Sequence, residues 1–514
     1  MRTIQRSLAW KEWHEHKWKL ASIAAILCGV TSLAMLEEKR DMFGLAFGLL
    51  VMCIVPLAVF VGLGAAANER SRGTLAFLQA LPVPMWRVAC SKLLFGVVTL
   101  VVPVVFAVAL FYVWTLVFEN LGVDYRTREF AVGWVTGVWF IDILVVSALI
   151  AASVFIWSAA AGMNRKDEVS AAAVALALML GWCLLLALAD NVVERISFDE
   201  PIEKGIVVVG FSTAPGGFMP ALGIAEDTKQ LVLLSIVTSA VIHLVLVMLY
   251  VRTFGRVANV EIRSPRTALR KQGQPNWLAP PRRSVLTAIA WKQVRESGPI
   301  VLAGLAGVAG IVAAIVLPNL EHMDAASFGQ ILGASTMVLG VAVSLVVGIG
   351  VFLNDLTPQH NLFWRSRPIH PDGWFWIKFV SGWIVLLVSF SIPLLVVALI
   401  LWAAMGDKAL ESSDIFIVLA PLSIYTAAVA TTCLVRHAVY AAILSIPMIY
   451  LGTLLVGTVL VIARIISWVE RPVSGDLWQM SELQFAAGFV VSIAISTGVA
   501  WLAMRNDWGW KSRY

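Results

Sequence analysis

Two residues in this chain stand where a polar group could do chemistry in apolar surroundings: Asp142, in "VWFIDILVV", and His243, in "AVIHLVLVM". A carboxylate and an imidazole so placed are parts of a proton relay, or of a hydrogen bond pinning two helices together. A relay needs a chain of such groups, and only these two present themselves. A carboxylate at mid-depth costs ~2.5–3.5 kcal/mol on insertion scales, so Asp142 is expected to face a bundle or a wet cavity, with His243 as its candidate partner. An intramembrane enzyme would need two or more catalytic groups at matching depth, and no such set is visible. Cys28, Cys53, Cys90, Cys183 and Cys433 are scattered, without the Cys/His spacing of a metal site and with none in an outer loop where disulfides would form. No G-x-x-x-x-G-K-[ST] loop is present to cradle ATP phosphates. No cofactor, metal or catalytic residue is expected.

A second stretch, "NERSRGTLAFLQALPVPMW" at 68–86, is charged at its start, apolar at Leu75, Phe77, Leu78 and Leu81, and closed by Pro82 and Pro84. Gly73 would admit a second backbone, Glu69 and Arg70 could pair with a partner, and the prolines stop a short helix sharply. Such a segment suits docking into another protein. The plainer alternative is a turn that anchors the chain to lipid headgroups.

These residues need elements to position them, and composition says which. The chain has 514 residues, 60% hydrophobic and 14% charged, with mean hydropathy +0.85. A soluble domain is about 45–50% apolar and about 25% charged. Twelve apolar runs read as spans: 20–36, 43–67, 93–118, 130–161, 169–189, 230–251, 299–317, 328–353, 379–404, 414–435, 438–463 and 485–504. The fold class is therefore all-α and polytopic. Residues 205–225, broken by Pro215, Gly216, Gly217 and Pro220, read as an interfacial or re-entrant element. "LAWKEWHEHKWKL" at the start reads as a helix lying in the interface.

With the N-terminus inside, the inner segments carry 28 of the 38 Lys and Arg. That asymmetry predicts both termini, 68–92, 252–298 and 354–378 in the cytoplasm, and 190–229 outside.

The chain also repeats itself. "AWKEW" at 9–13 recurs as "AWKQV" at 290–294, and the 68–86 stretch recurs 286 residues later. Asn68-Glu69 matches Asn354-Asp355, Phe77 matches Phe363, Pro82 matches Pro368, and Lys92 matches Lys378. This divides the chain into 1–251, a basic, Pro-containing linker at 252–285, and 286–514, with six spans on each side in parallel orientation. "WRSRPIHPDGW" in the second copy, with Arg365, Arg367 and His370 among Trp, suits lipid headgroups or a docked protein better than nucleic acid.

"NERSRGTLAFLQALPVPMWRVACSKLL" resembles the loop between the second and third spans of ABC transporter permeases of the ABC-2 type, and "FSTAPGGFMPALG" is similar to that family's outer Pro-containing segment. The resemblance covers residues 1–260 best. The second copy, "NDLTPQHNLFWRSRPIHPDGWFWIKFV", lacks Gly-Thr. The resemblance implies a transport subunit, an exporter of the cell inner membrane, powered by two copies of a separate ATPase, with two permease halves fused in one chain. It implies coupling roles for Glu69, Arg70, Gly73, Thr74, Phe77, Leu81 and Pro82, and for Asn354, Asp355 and Pro368. The rival expectation is an ion-gradient-driven secondary transporter of two six-span repeats, which would spread ionisable groups through several spans.

Overall fold

A computed structural model describes residues 2–34, 42–71, 74–80, 82–120, 133–163, 165, 168–195, 200–215, 229–255, 285–316, 325–356, 361, 364, 370–392, 415–449, 452, 455–456, 459 and 482–508. Every described element is a helix. In chain order they are α1 (Arg2–Ala34), α2 (Met42–Ser71), α3 (Leu75–Ala80), α4 (Met85–Asn120), α5 (Gly133–Ala161), α6 (Glu168–Arg195), α7 (Glu200–Thr213) and α8 (Lys229–Thr253). There follow α9 (Val285–Val316), α10 (Ala325–Leu353), α11 (Pro371–Leu386), α12 (Ile415–Val435), α13 (Ala438–Ile449) and α14 (Glu482–Arg505). Among the described residues, five stretches are long and apolar enough to cross a membrane: Ala46–Arg70, Met85–Val117, Phe140–Ala161, Gln230–Thr253 and Ala486–Arg505. The chain is a helical membrane protein.

The N-terminal segment is not a separate interfacial helix. Residues 2–34 form one continuous rod of 33 residues, ~50 Å long at 1.5 Å per residue. No proline interrupts it. Its buried stripe runs Glu12, His16, Lys19, Ile23, Leu27, Val30, steps of three and four that keep one face. The stripe starts polar and turns apolar toward mid-membrane, while Trp10, Trp13 and Trp18 face outward. The usual amphipathic order is thus inverted at this end, because the charged groups pair inside the bundle and the indoles suit an interface. Helix α9 does the same: Ile289, Gln293, Ser297, Val301 and Val308 are buried and Trp291 is exposed.

Helix α1 packs mainly on α4, α2 on α5, and α5 on α8. In the C-terminal set α9 packs on α11, α10 on α12, and α12 on α14. The α2–α5 and α10–α12 crossings are made by small residues that let backbones approach. A Cβ on Gly62 would stand 2.8 Å from the Phe155 carbonyl, and one on Gly348 would stand 2.8 Å from the Tyr425 carbonyl. The aromatic side chain there then wedges against a second glycine. A Cβ on Gly96 would collide with the Phe155 ring, and one on Gly382 would meet the Tyr425 hydroxyl at 2.5 Å. Gly348 and Gly382 each lie 286 residues after Gly62 and Gly96.

Two helices pack across the sets. Helix α6 lies against α9 and α10. Helix α13 sends Val439 against Gly64 of α2, and its Tyr440 hydroxyl donates to the Glu15 carbonyl of α1 at 3.5 Å. Both helices bury alanines: Ala171, Ala172 and Ala175 of α6 and Ala438, Ala441 and Ala442 of α13. Helix α7, 14 residues long, covers the N-terminal part of 205–225 and packs on α8. At ~21 Å it is shorter than the ~30 Å hydrocarbon layer.

Candidate functional site

The chemically richest place is the end of the bundle where α1 begins, α2 ends and α4 begins. Lys92, almost wholly buried, sends its ammonium to Glu69 Oε1 at 2.9 Å and Glu12 Oε1 at 3.4 Å. Glu69 Oε1 also takes Lys11 Nζ at 2.9 Å, and Oε2 accepts the Thr74 hydroxyl. Lys11 reaches Glu15 at 3.7 Å. Beside them His16 Nδ1 lies 2.7 Å from Thr99 Oγ1. The Thr99 hydroxyl already donates to the Phe95 carbonyl at 2.6 Å, so it accepts from His16, which assigns the imidazole proton to Nδ1. Burial first, then Lys19 and Lys92, push the His16 pKa down to about 2. The ring is therefore neutral, and its bare Nε2 stands 3.9 Å from Glu12 Oε2 without donating to it. Glu12, fully buried, has neither carboxylate oxygen hydrogen-bonded. Its counter-charge is Lys92.

The same pattern recurs where α9 begins, α10 ends and α11 begins. Buried Lys378 donates to Asp355 Oδ2 and to the Val351 carbonyl at 2.5 Å, and Lys292 lies 3.5 Å from Asp355 Oδ1. Lys292 reaches Glu296 at 3.8 Å, as Lys11 reaches Glu15. Burial alone would raise the Asp355 pKa, but Lys378, then Lys292, hold it below its ordinary value. One acid is exchanged, since Gln293 stands in the place of Glu12 and donates to Ser297 Oγ at 2.6 Å. Lys378 instead lies over the rings of Phe352 (5.4 Å) and Trp374 (5.5 Å). The residues 286 positions earlier are Ala66 and Val88, which offer no ring. A carboxylate in one cluster is thus replaced by two aromatic faces in the other.

These clusters correct the expectation for Glu69 and Asp355. Neither carboxylate is offered outward, because each is buried on a lysine of its own bundle. Thr74 likewise turns its hydroxyl back to Glu69. The outward group is Phe77, on the six-residue α3, with 67% of its surface exposed while Leu78 beside it is buried. Pro82 is exposed at the far end of α3, Arg70 is half-buried, and Asn354 is exposed at the end of α10. Gly73, Leu81 and Pro368 lie outside the described residues.

Asp142 and His243 are not brought together. His243 Nδ1 donates to the Ser239 carbonyl at 2.6 Å, and its Nε2 accepts from the Ser153 hydroxyl at 2.8 Å. Ser153 lies eleven residues along α5 from Asp142, ~16 Å at helical rise. The Asp142 side chain is exposed. Helix α5 has 29 residues, ~44 Å against a ~30 Å hydrocarbon layer. Asp142 is thus set apart along α5 from the imidazole that the sequence offered as its partner, and Ser153 takes its place.

Glu12, His16, Thr99 and Gln293 were not singled out from sequence. The recurrence of "AWKEW" as "AWKQV" was the available signal, with the acid-to-amide change inside it. No protein-family model, no curated protein and no solved structure matches the chain.

Proposed function

We propose that the chain is the permease of an ATP-driven transporter, an exporter of the ABC-2 type in which two six-span halves are fused and a separate ATPase docks on the cytoplasmic end. The observation that carries this reading is α3: a short, Pro-ended helix that exposes a large aromatic while the charges at its root are locked into the bundle. Phe77 has the character of an interface anchor, an aromatic ready to fill a partner's pocket. The buried Glu69–Lys92–Glu12 network makes the root of that anchor stiff, so that force on α3 passes to α1, α2 and α4 together.

Recurrence at matched positions supports two halves: Lys11, Glu69 and Lys92 against Lys292, Asp355 and Lys378, and Gly62, Phe155 and Gly96 against Gly348, Tyr425 and Gly382. The crossed packing of α6 and α13 supports their closing on each other within one chain. The ion-gradient rival gains nothing from Asp142 and His243, since the imidazole bonds Ser153 instead.

The test is copurification of nucleotide-hydrolysing activity from native membranes with wild type, Phe77→Leu and Phe77→Arg. Wild type and Phe77→Leu should retain the ATPase and Phe77→Arg should lose most of it, at unchanged thermal stability. Equal retention by Phe77→Arg would remove α3 as the docking element.

A further inference from the structure

The last helix of each set ends in a residue with left-handed backbone. Gly255, after α8, has φ +74°, and Asp507, after α14, has φ +54°. At both places the turned residue reaches a loop that sequence alone did not connect with it. The Gly255 carbonyl accepts from Gln79 Nε2 of α3 at 2.6 Å. The Asp507 carboxylate takes Arg436 Nη2 at 2.5 Å, and Asn361 Nδ2, in the segment after α10, at 3.4 Å.

The first turn is built for this contact. A Cβ on Gly255 would stand 2.6 Å from Met85 Cε, where α4 begins, so the turn closes against α3 and the start of α4. The end of α8 is itself fixed, since the buried Tyr250 hydroxyl donates to the Ala65 carbonyl of α2 at 2.8 Å. Glycine is required by the dihedral, because a β-branched side chain at positive φ is strained whatever the space. At the second turn Asp serves, being among the few side-chain-bearing residues that tolerate the left-handed region.

We infer that these turns are clamps: the end of the last helix in each set grips the loop between that set's second and third spans. Gln79 with Gly255, and Asn361 with Asp507, are then positioning residues that tie the docking segment to the last span. The inference rests on the docking reading for its purpose, though not for its geometry. Force arriving at Phe77 would reach α8 directly through Gln79, two residues along the same short helix, as well as α1, α2 and α4 through the charge cluster. The two clamps differ in kind. One is a single neutral hydrogen bond; in the other the gripping carboxylate is itself held by Arg436, between α12 and α13, in an ion pair that salt will weaken.

The test is amide hydrogen exchange of the purified full-length protein, read at 75–80 and, as reference, at 240–250 within α8. Gln79→Glu keeps the shape and removes the donor; Gly255→Val removes the left-handed conformation; Gly255→Asn keeps it accessible. Gln79→Glu and Gly255→Val should speed exchange at 75–80 about three- to tenfold, the range that one hydrogen bond covers. Gly255→Asn should stay within about twofold of wild type, as a side chain that tolerates the left-handed region should. Unchanged exchange at 75–80 in both disrupting variants would overturn the clamp, as would an equal rise at 240–250, which marks general loosening. No partner protein enters the measurement. Loss of the docking reading would therefore leave a positive result standing, and flat exchange would leave docking untouched.

Discussion

Replacing Lys92 by methionine is the sharpest perturbation of the cluster at the root of α3. Methionine fills a similar volume and removes the charge that holds two carboxylates. Glu69 keeps Lys11 at 2.9 Å and the Thr74 hydroxyl. Glu12 keeps only a neutral His16 whose Nε2 has no proton to give. A buried ion pair that loses one partner costs about 3–5 kcal/mol. Only one of the two carboxylates is stranded, which places the expectation near the lower end, ~3 kcal/mol.

The C-terminal cluster is the internal control. Lys378→Met leaves Asp355 with Lys292 at 3.5 Å, and Gln293 is already neutral. The loss there should be about half as large, ~1.5 kcal/mol, mainly lost packing and charge-assisted hydrogen bonds. Adding Glu12→Gln to Lys92→Met should return about 1–2 kcal/mol, since it removes the stranded acid. Thermal unfolding of the detergent-purified variants reads all three. The reasoning is refuted if the double variant is no more stable than Lys92→Met, or if Lys378→Met costs as much as Lys92→Met.

Gly96→Ala should lower stability by about 1–3 kcal/mol through overpacking on Phe155, with Phe155→Leu in the same chain recovering part of it in the same unfolding assay. Asp355, whose carboxyl is held below its ordinary range by Lys378 and Lys292, contributes stability that is present above the unfolded carboxylate range and lost as pH falls through the folded value. Wild type should therefore show an acid-side loss below about pH 4 that Asp355→Asn lacks, while the two respond alike between pH 5 and 7 on the ~1-unit scale of such titrations. Asp142→Asn should leave thermal unfolding within about 0.5 kcal/mol of wild type, because the carboxylate is exposed and His243 bonds elsewhere.

The helical membrane character was legible because uncharged runs of that length have few other uses. So was the pairing of Lys92 with Lys378 and of Glu69 with Asp355, because a fixed offset survives in the sequence. Which way those side chains turn was not. "NERS" reads as a solvated, partner-facing stretch, and only the approach of α1, over fifty residues earlier, shows Glu69 to be buried. Glu12 sat inside a recognised repeat, yet its counter-charge lies on α4, eighty residues away. The Phe155 wedge needs Gly62 and Gly96 from two other helices, a contact that periodicity along one helix does not encode. His243 was paired with the wrong residue of α5 because the sequence does not say at which height two helices meet: the imidazole reaches Ser153, not Asp142.

The central claim is that α3 presents Phe77 to a cytoplasmic ATPase. A photo-crosslinking side chain placed at position 77 in intact native membranes, with the crosslinked product identified by mass, tests it most directly. The account predicts one protein adduct carrying a G-x-x-x-x-G-K-[ST] phosphate loop, formed only where the reagent's target lies on the cytoplasmic side. Adducts with lipid alone, or with a protein on the outer face, would contradict it.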